Sequence, residues 1–294
     1  LRFFGASDQT LPYARDFMQV ILVGNIITHE YFGMNAVLRA AGKPRQAMNA
    51  TLFTVVMNIM LDVIFILWWG WGIRGAAIAT IISQAMAFVY QMVLLSDKKA
   101  FLHLKRGTYR LKKALVKSIV EVGVSPLFMN ICTSIVVIFM NNQFVKYGGD
   151  LSVGSYGIAN SVAVVFVMFV MGLNQGMQPI AGYNYGSQQI DRLMQVVKLS
   201  IISATCIMTV GWLIAMFIPE QCARLFTTDP ELIKLSSRAI RINMICFPVI
   251  GFQMVTTNFF QCIGKAKLSI FLSLSRQLLF LLPLIAVLPR YFGV

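Results

Sequence analysis

The feature that most constrains this chain is a succession of long apolar runs, separated by short polar segments that hold nearly all of its charge. A bilayer core takes roughly 20 apolar residues in helix to cross. Eight stretches meet that length, at 17–38, 48–69, 76–95, 119–144, 153–180, 199–218, 240–262 and 269–288. Only 12% of the 294 residues are charged and 57% are hydrophobic, whereas a soluble domain carries roughly 25% charged residues. Such a chain cannot hide its apolar surface in a core of its own and reads as an all-α membrane protein. Residues 1–16, punctuated by Gly5 and Pro12, read as the end of an earlier helix followed by a loop.

A formal net charge of +14 would suit nucleic acid if it formed one solvated basic face. Here the charges sort by loop instead. Arg39, Lys43 and Arg45 form one basic loop. Lys98, Lys99, Lys105, Arg106, Arg110, Lys112, Lys113 and Lys117 form a second, Arg192 and Lys198 a third, and Lys265 and Lys267 a fourth. These are alternate loops, so they share one side, and the excess of Lys and Arg makes that side cytoplasmic. The intervening loops carry Asp8 with Asp16, Arg74 alone, Lys146 with Asp150, and Glu220, Asp229 and Glu231. The expected setting is the cytoplasmic membrane, with the lipid bilayer as partner and no nucleic acid. Residues 98–117 form the longest polar segment and read as a cytoplasmic linker between a first lobe, 1–97, and a second, 118–294.

The five cysteines, Cys132, Cys206, Cys222, Cys246 and Cys262, show neither metal-ligand spacing nor a disulfide framework. There is no phosphate-binding G-x-x-x-x-G-K-[ST] loop, and no nucleophile stands at a plausible spacing from a base. The chain is therefore expected to be neither an enzyme nor a cofactor protein. Any transport would be driven by an ion gradient.

An internal repeat organises the chain. Gly42-Lys43 and Gly264-Lys265 are 222 residues apart, Asp8 and Asp229 are 221 apart, and each pair brackets one long span. Repeated units are common in transporters, and an even number of spans between the copies makes this repeat parallel. Carried through, the offset asks for about three helices before residue 1 and one after residue 294, or twelve in two lobes.

Ionisable groups at membrane depth cost several kcal/mol and are functional candidates by default. Asp62 lies in M-N-I-M-L-D-V-I-F-I-L-W-W, with Asn58 one turn earlier on the same helical face. Thr80 begins the next span after a short Gly70-Trp71-Gly72 connection. Carboxylate, amide oxygen and hydroxyl make an oxygen-rich site suited to Na⁺ or a proton, and the plainer reading is an Asp held by an interhelical hydrogen bond. His29 and Glu30, side by side in the first span, are a second proton-site candidate. Arg276, inside the last span, is expected to snorkel or pair with a carboxylate. The spans of the second lobe from Val122 to Tyr183 hold amides and hydroxyls with no carboxylate. Asn160, Asn174, Gln175 and Gln178 are the candidates there to line a cleft.

Several motifs resemble one family. They are L-R-A-A-G-K-P-R (Leu38–Arg45), N-x-x-L-D-x-I-F-I (Asn58–Ile66), G-W-G-I-R-G-A-A-I-A-T (Gly70–Thr80), G-L-N-Q-G-M-Q-P-I-A-G-Y-N-Y-G (Gly172–Gly186) and S-L-S-R-Q (Ser273–Gln277). Together, and in this order, they are similar to the multidrug and toxic compound extrusion (MATE) transporters. The resemblance implies twelve helices in two lobes around a central cleft, a monomer, and exchange of small organic cations for H⁺ or Na⁺. It also implies that Asp62, Asn58 and Thr80 hold the coupling cation, completed by an Asp on the first helix, ahead of residue 1. The chain departs from the pattern where some members carry a Glu in the seventh helix, since only Glu121 stands at that helix's start. The alternative function is a flippase for lipid-linked or polysaccharide precursors built on the same superfold, which would need a wide cationic cleft.

Overall fold

The structure is a computed structural model that describes residues 11–96, 112–275 and 283. The chain divides into two compact units, Leu1–Leu111 and Lys112–Val294. Arg276 and most of the segment read as the linker lie outside the described residues.

Unit 1 is an antiparallel trio. Helix α1 (Leu11–Ala40) and helix α2 (Pro44–Asp62) both pack on α3 (Gly72–Leu95), and a short π-helical segment, Val63–Trp68, joins α2 to the turn before α3. Helix α1 is described from Leu11, so residues 11–16, expected as part of a loop, are already helical. On α3 the buried residues Gly75, Ala79, Ser83, Ala87, Gln91 and Leu95 recur every fourth position. Small side chains at that spacing let helices approach closely, the contact that lipid-embedded helices rely on. An ion pair from Arg74 Nη2 to Asp16 Oδ1, at 2.8 Å, ties the starts of α3 and α1. It places the Asp16 and Arg74 ends at the same end of the trio.

Unit 2 comprises α4 (Lys113–Gly186), α5 (Ile190–Phe217), α6 (Pro219–Arg224), α7 (Pro230–Met244), α8 (Phe247–Cys262) and α9 (Ala266–Leu274). Its core joins Val170, Met177 and Ala181 of α4, Ala204 and Met208 of α5, Ile240 and Met244 of α7, and Val255 of α8. Helix α4 runs as one helix of 74 residues through the expected turn at Lys146 and Asp150. Gly148 and Gly149 weaken a helix by about 1 kcal/mol each, but no proline or cap ends it there. Two separate apolar stretches nevertheless remain within it, Lys113–Met140 and Leu151–Gly186.

The described residues cover the expected eight spans only in part. Among the described residues, five helical stretches are long and apolar enough to cross a membrane: Pro44–Trp68, Gly72–Leu95, Lys113–Met140, Leu151–Gly186 and Ile190–Phe217. A sixth is broken, with α7 and α8 meeting at 49° and Pro248 in the first turn after the break. Helix α1 has the length, but Gln19, Asn25, His29 and Glu30 dilute its apolarity. The last expected span is described only as far as α9. Between 12% and 28% of the most apolar window of each span is buried.

The repeat is written in backbone bonds. Gly42 and Gly264 both sit at φ 75°. Around the first, Gly42 N–H donates to Arg39 O at 3.1 Å and Lys43 N–H to Leu38 O at 3.0 Å. Around the second, Gly264 N–H donates to Gln261 O at 3.1 Å and Lys265 N–H to Phe260 O at 2.9 Å. Both turns end a helix on a left-handed residue, which glycine adopts without a Cβ penalty.

Candidate functional site

Asp62 is the last residue of α2 and the cap of the π segment. The ladder widens immediately after it, with Trp69 N–H donating to Ile64 O at 2.9 Å. Such i to i+5 turns are rare and cluster at functional positions. The wider turn delivers a group of rings, Phe65, Trp69 and Trp71, whose centroids lie 4.9 to 5.4 Å apart. Trp68, Trp69 and Trp71 are exposed, as tryptophans at a membrane–water interface are. Asp62 therefore stands about two turns inside the interface.

Asn58 and Asp62 share one face of α2, and Thr80 of α3 meets Asn58 there. Asn58 Nδ2 donates to Thr80 Oγ1 at 3.5 Å, and Thr80 Oγ1 donates to Ala76 O at 3.0 Å. All three residues are half-buried. Asp62 Oδ1 is fully buried and has no hydrogen-bond partner. A buried polar oxygen without a partner costs about 1–3 kcal/mol, and more when charged. A buried carboxylate oxygen left open in this way is a candidate to take a proton or a cation.

Sequence reasoning passed over a second polar seam in unit 1. Asn35 of α1 is 3% exposed and donates from Nδ2 to Ala47 O at 3.0 Å and to Thr51 Oγ1 at 3.2 Å on α2. Tyr31, one turn earlier, donates to the same Thr51 hydroxyl at 3.5 Å. Thr28 donates to Gln84 Oε1 of α3 at 2.6 Å. The signal was present as Thr28, Tyr31 and Asn35 at helical spacing in an apolar run. Neutral side chains draw less notice there than His29 and Glu30, which the structure places on the exposed face of α1.

In unit 2 the amides divide. Asn160 and Gln175 are exposed. Asn174 is 5% exposed with Oδ1 unpartnered, and Gln178, one turn on, donates to Asn258 Oδ1 of α8 at 3.2 Å. Cys262 Sγ donates to Gln178 O at 3.1 Å. On α8 and α9, Gln253 Nε2 donates to Thr257 Oγ1 at 3.4 Å and to Leu272 O at 3.5 Å. At the 222-residue offset, Gln253, Thr257 and Leu272 correspond to Tyr31, Asn35 and Ala50. The interhelical polar seam next to the glycine turn is therefore present in both units.

Comparison with known proteins supplies the context. The MatE family model matches residues 1–64 and 126–287. The multidrug export protein MepA of Staphylococcus haemolyticus is 26% identical over 289 residues, covering 98% of this chain and 63% of that protein. The MATE multidrug transporter DinF-BH, solved as a complex, matches with a TM-score of 0.89 at 35% identity, over 99% of this chain and 65% of that one. An outward-facing multidrug resistance MATE family transporter of the MOP superfamily matches with a TM-score of 0.90 at 25% identity, over 98% and 64%. The chain spans a little under two thirds of the length of these relatives.

Proposed function

Because this multi-pass membrane chain belongs to the MatE family, we propose that it forms the larger part of an antiporter that exports organic cations in exchange for H⁺ or Na⁺. The observation that carries the reading is the buried, unpartnered Asp62 oxygen, one helical turn from an Asn58 amide bonded to Thr80 on the neighbouring helix. The names of the relatives, a multidrug export protein and a multidrug transporter, support the substrate class.

The cycle follows from the cost of that oxygen. With Asp62 charged and unpaired, α2 and α3 pack around an unsatisfied group. Arrival of a proton or Na⁺ removes the penalty and favours the packing that holds it. A substrate that binds better to the other packing is released in exchange, because a ligand shifts an equilibrium only by its differential affinity. Asn58 and Thr80 position the cation, and the π turn gives α2 a place where its ladder can change register. The protein works as a monomer.

The test uses the full-length protein in proteoliposomes, with uptake of a fluorescent organic cation followed under imposed pH or Na⁺ gradients. Asp62→Asn keeps the shape and removes the charge. It should reduce gradient-driven flux to that of empty vesicles while leaving insertion and gradient-free binding of the dye in place. Unchanged gradient-driven flux in Asp62→Asn overturns the reading.

A further inference from the structure

We propose that the exposed face of α7 and the cavity at its start form a docking site for an anionic phospholipid, in the leaflet opposite the Lys- and Arg-rich loops. Helix α7 is amphipathic. Ser236, Ser237, Ile240 and Met244 are buried, while Lys234, Arg238 and Arg241 are exposed at i, i+4 and i+7, which places them on one face. Among the described residues none of these three cations is ion-paired. The nearby acids Asp229, Glu231 and Glu220 form no ion pair with these three cations among the described residues, and the Asp229 carboxylate caps α7 by accepting the Glu231 N–H at 3.0 Å.

Two further observations give the site the profile of a lipid. At the start of the stripe is a cavity of about 590 Å³ lined by Glu220, Arg224, Thr227, Thr228, Ile233 and Lys234. Two cations and two hydroxyls there can take the oxygens of a phosphate. Below the stripe the exposed face turns apolar, through Ile242, Ile245, Val249 and Phe252, which are between 50% and 72% exposed. The 49° bend between α7 and α8 lies within this stretch. A cationic notch above an apolar flank matches an anionic headgroup above its acyl chains. A free anion would use only the upper half, and a zwitterionic lipid would leave the cations without a net partner.

The experiment compares the full-length protein with the variant K234Q/R238Q/R241Q, in nanodiscs of phosphatidylcholine with and without phosphatidylglycerol. Retention of phosphatidylglycerol is read by native mass spectrometry and stability by thermal unfolding. Each surface cation contributes about a fivefold preference for anionic lipid, so the triple variant should lose on the order of a hundredfold. R238K/R241K keeps the charge and should keep the preference, so a general loss of stability in the Gln variant is distinguishable. The variant K265Q/K267Q, on the opposite side, should also keep it. Equal retention of the two lipids by the unaltered protein, or an undiminished preference in the Gln variant, overturns the proposal. So does full replacement of the lipid effect by inorganic phosphate, which would mark a free-anion site.

Discussion

The two units repeat a backbone and differ in what they bury beside it. In both, a helix ends on a glycine at φ 75°, the chain reverses with the same pair of backbone bonds, and an interhelical polar seam lies within three turns. Past the seam they part. Unit 1 places a carboxylate oxygen without a partner at Asp62. Among the described residues, unit 2 places amides there, Asn174, Gln178 and Asn258, with Gln178 bonded to Asn258. A neutral amide pair can hold helices together at any pH, whereas a carboxylate changes what it prefers when a proton or cation arrives. The repeat supplies the scaffold twice, and among the described residues the buried carboxylate oxygen without a partner stands on one copy.

That contrast can be broken most decisively at its centre. Asp62→Asn should abolish gradient-driven flux, while Asn258→Leu, which removes the unit 2 pair, should lower stability and leave gradient coupling in place. Flux and thermal unfolding measured on both variants separate the two roles, and loss of coupling in Asn258→Leu would show that unit 2 shares the task.

The next effect concerns packing. A Cβ on Gly251 would meet Ala204 O at 2.9 Å and Ala204 C at 3.1 Å, both backbone atoms of α5, so Gly251→Ala must push two helices apart. Overpacking of this kind costs about 1–3 kcal/mol. Gly24→Ala in unit 1 meets only the Ile81 side chain, which can turn aside, and its fall in unfolding temperature should be the smaller of the two.

The turns themselves come next. No atom lies within 4 Å of a Cβ on Gly42 or Gly264, so Gly42→Ala and Gly264→Ala should each cost only the left-handed backbone penalty, about 1 kcal/mol. Equal losses would confirm that the two turns are the same device. The smallest effect has the opposite sign. The turn after α4 repeats the pattern, with Gln189 N–H donating to Asn184 O at 2.9 Å, but it holds Gln188 at φ 57° where the others hold glycine. Gln188→Gly should therefore stabilise by up to about 1 kcal/mol, visible as a small rise in the unfolding temperature.

What could be read from the residues follows from what each costs. Long apolar runs specify helices in lipid because no other structure satisfies the backbone there, and Gly42-Lys43 and Gly264-Lys265 mark helix ends because few residues take that φ. Asp62 was legible because a carboxylate at depth is expensive. Asn35 and Asn258 were not, since a neutral amide in an apolar run gives no sign of which neighbour it will meet. The helical state of residues 11–16 was obscured by Pro12, which reads as loop punctuation in a sequence. The uninterrupted α4 was hidden by Gly148 and Gly149, residues that weaken a helix and do not by themselves end it. The π segment had no residue signature, because V-I-F-I-L-W suits either ladder.

That segment also leaves a mark on the gene. A turn closed from Trp69 back to Ile64 holds one residue more than an α turn does, so it behaves as a single-residue insertion directly after Asp62. Everything past it, the tryptophans and the Gly70–Gly72 connection included, is rotated by about 100° from where an uninterrupted α-helix would carry it. Deleting one codon between Val63 and Trp68 would then swing the aromatic anchor to another side of the helix while leaving Asp62 where it stands. In this stretch the number of residues counts as much as their identity, since a gain or loss of length re-aims the end of the span.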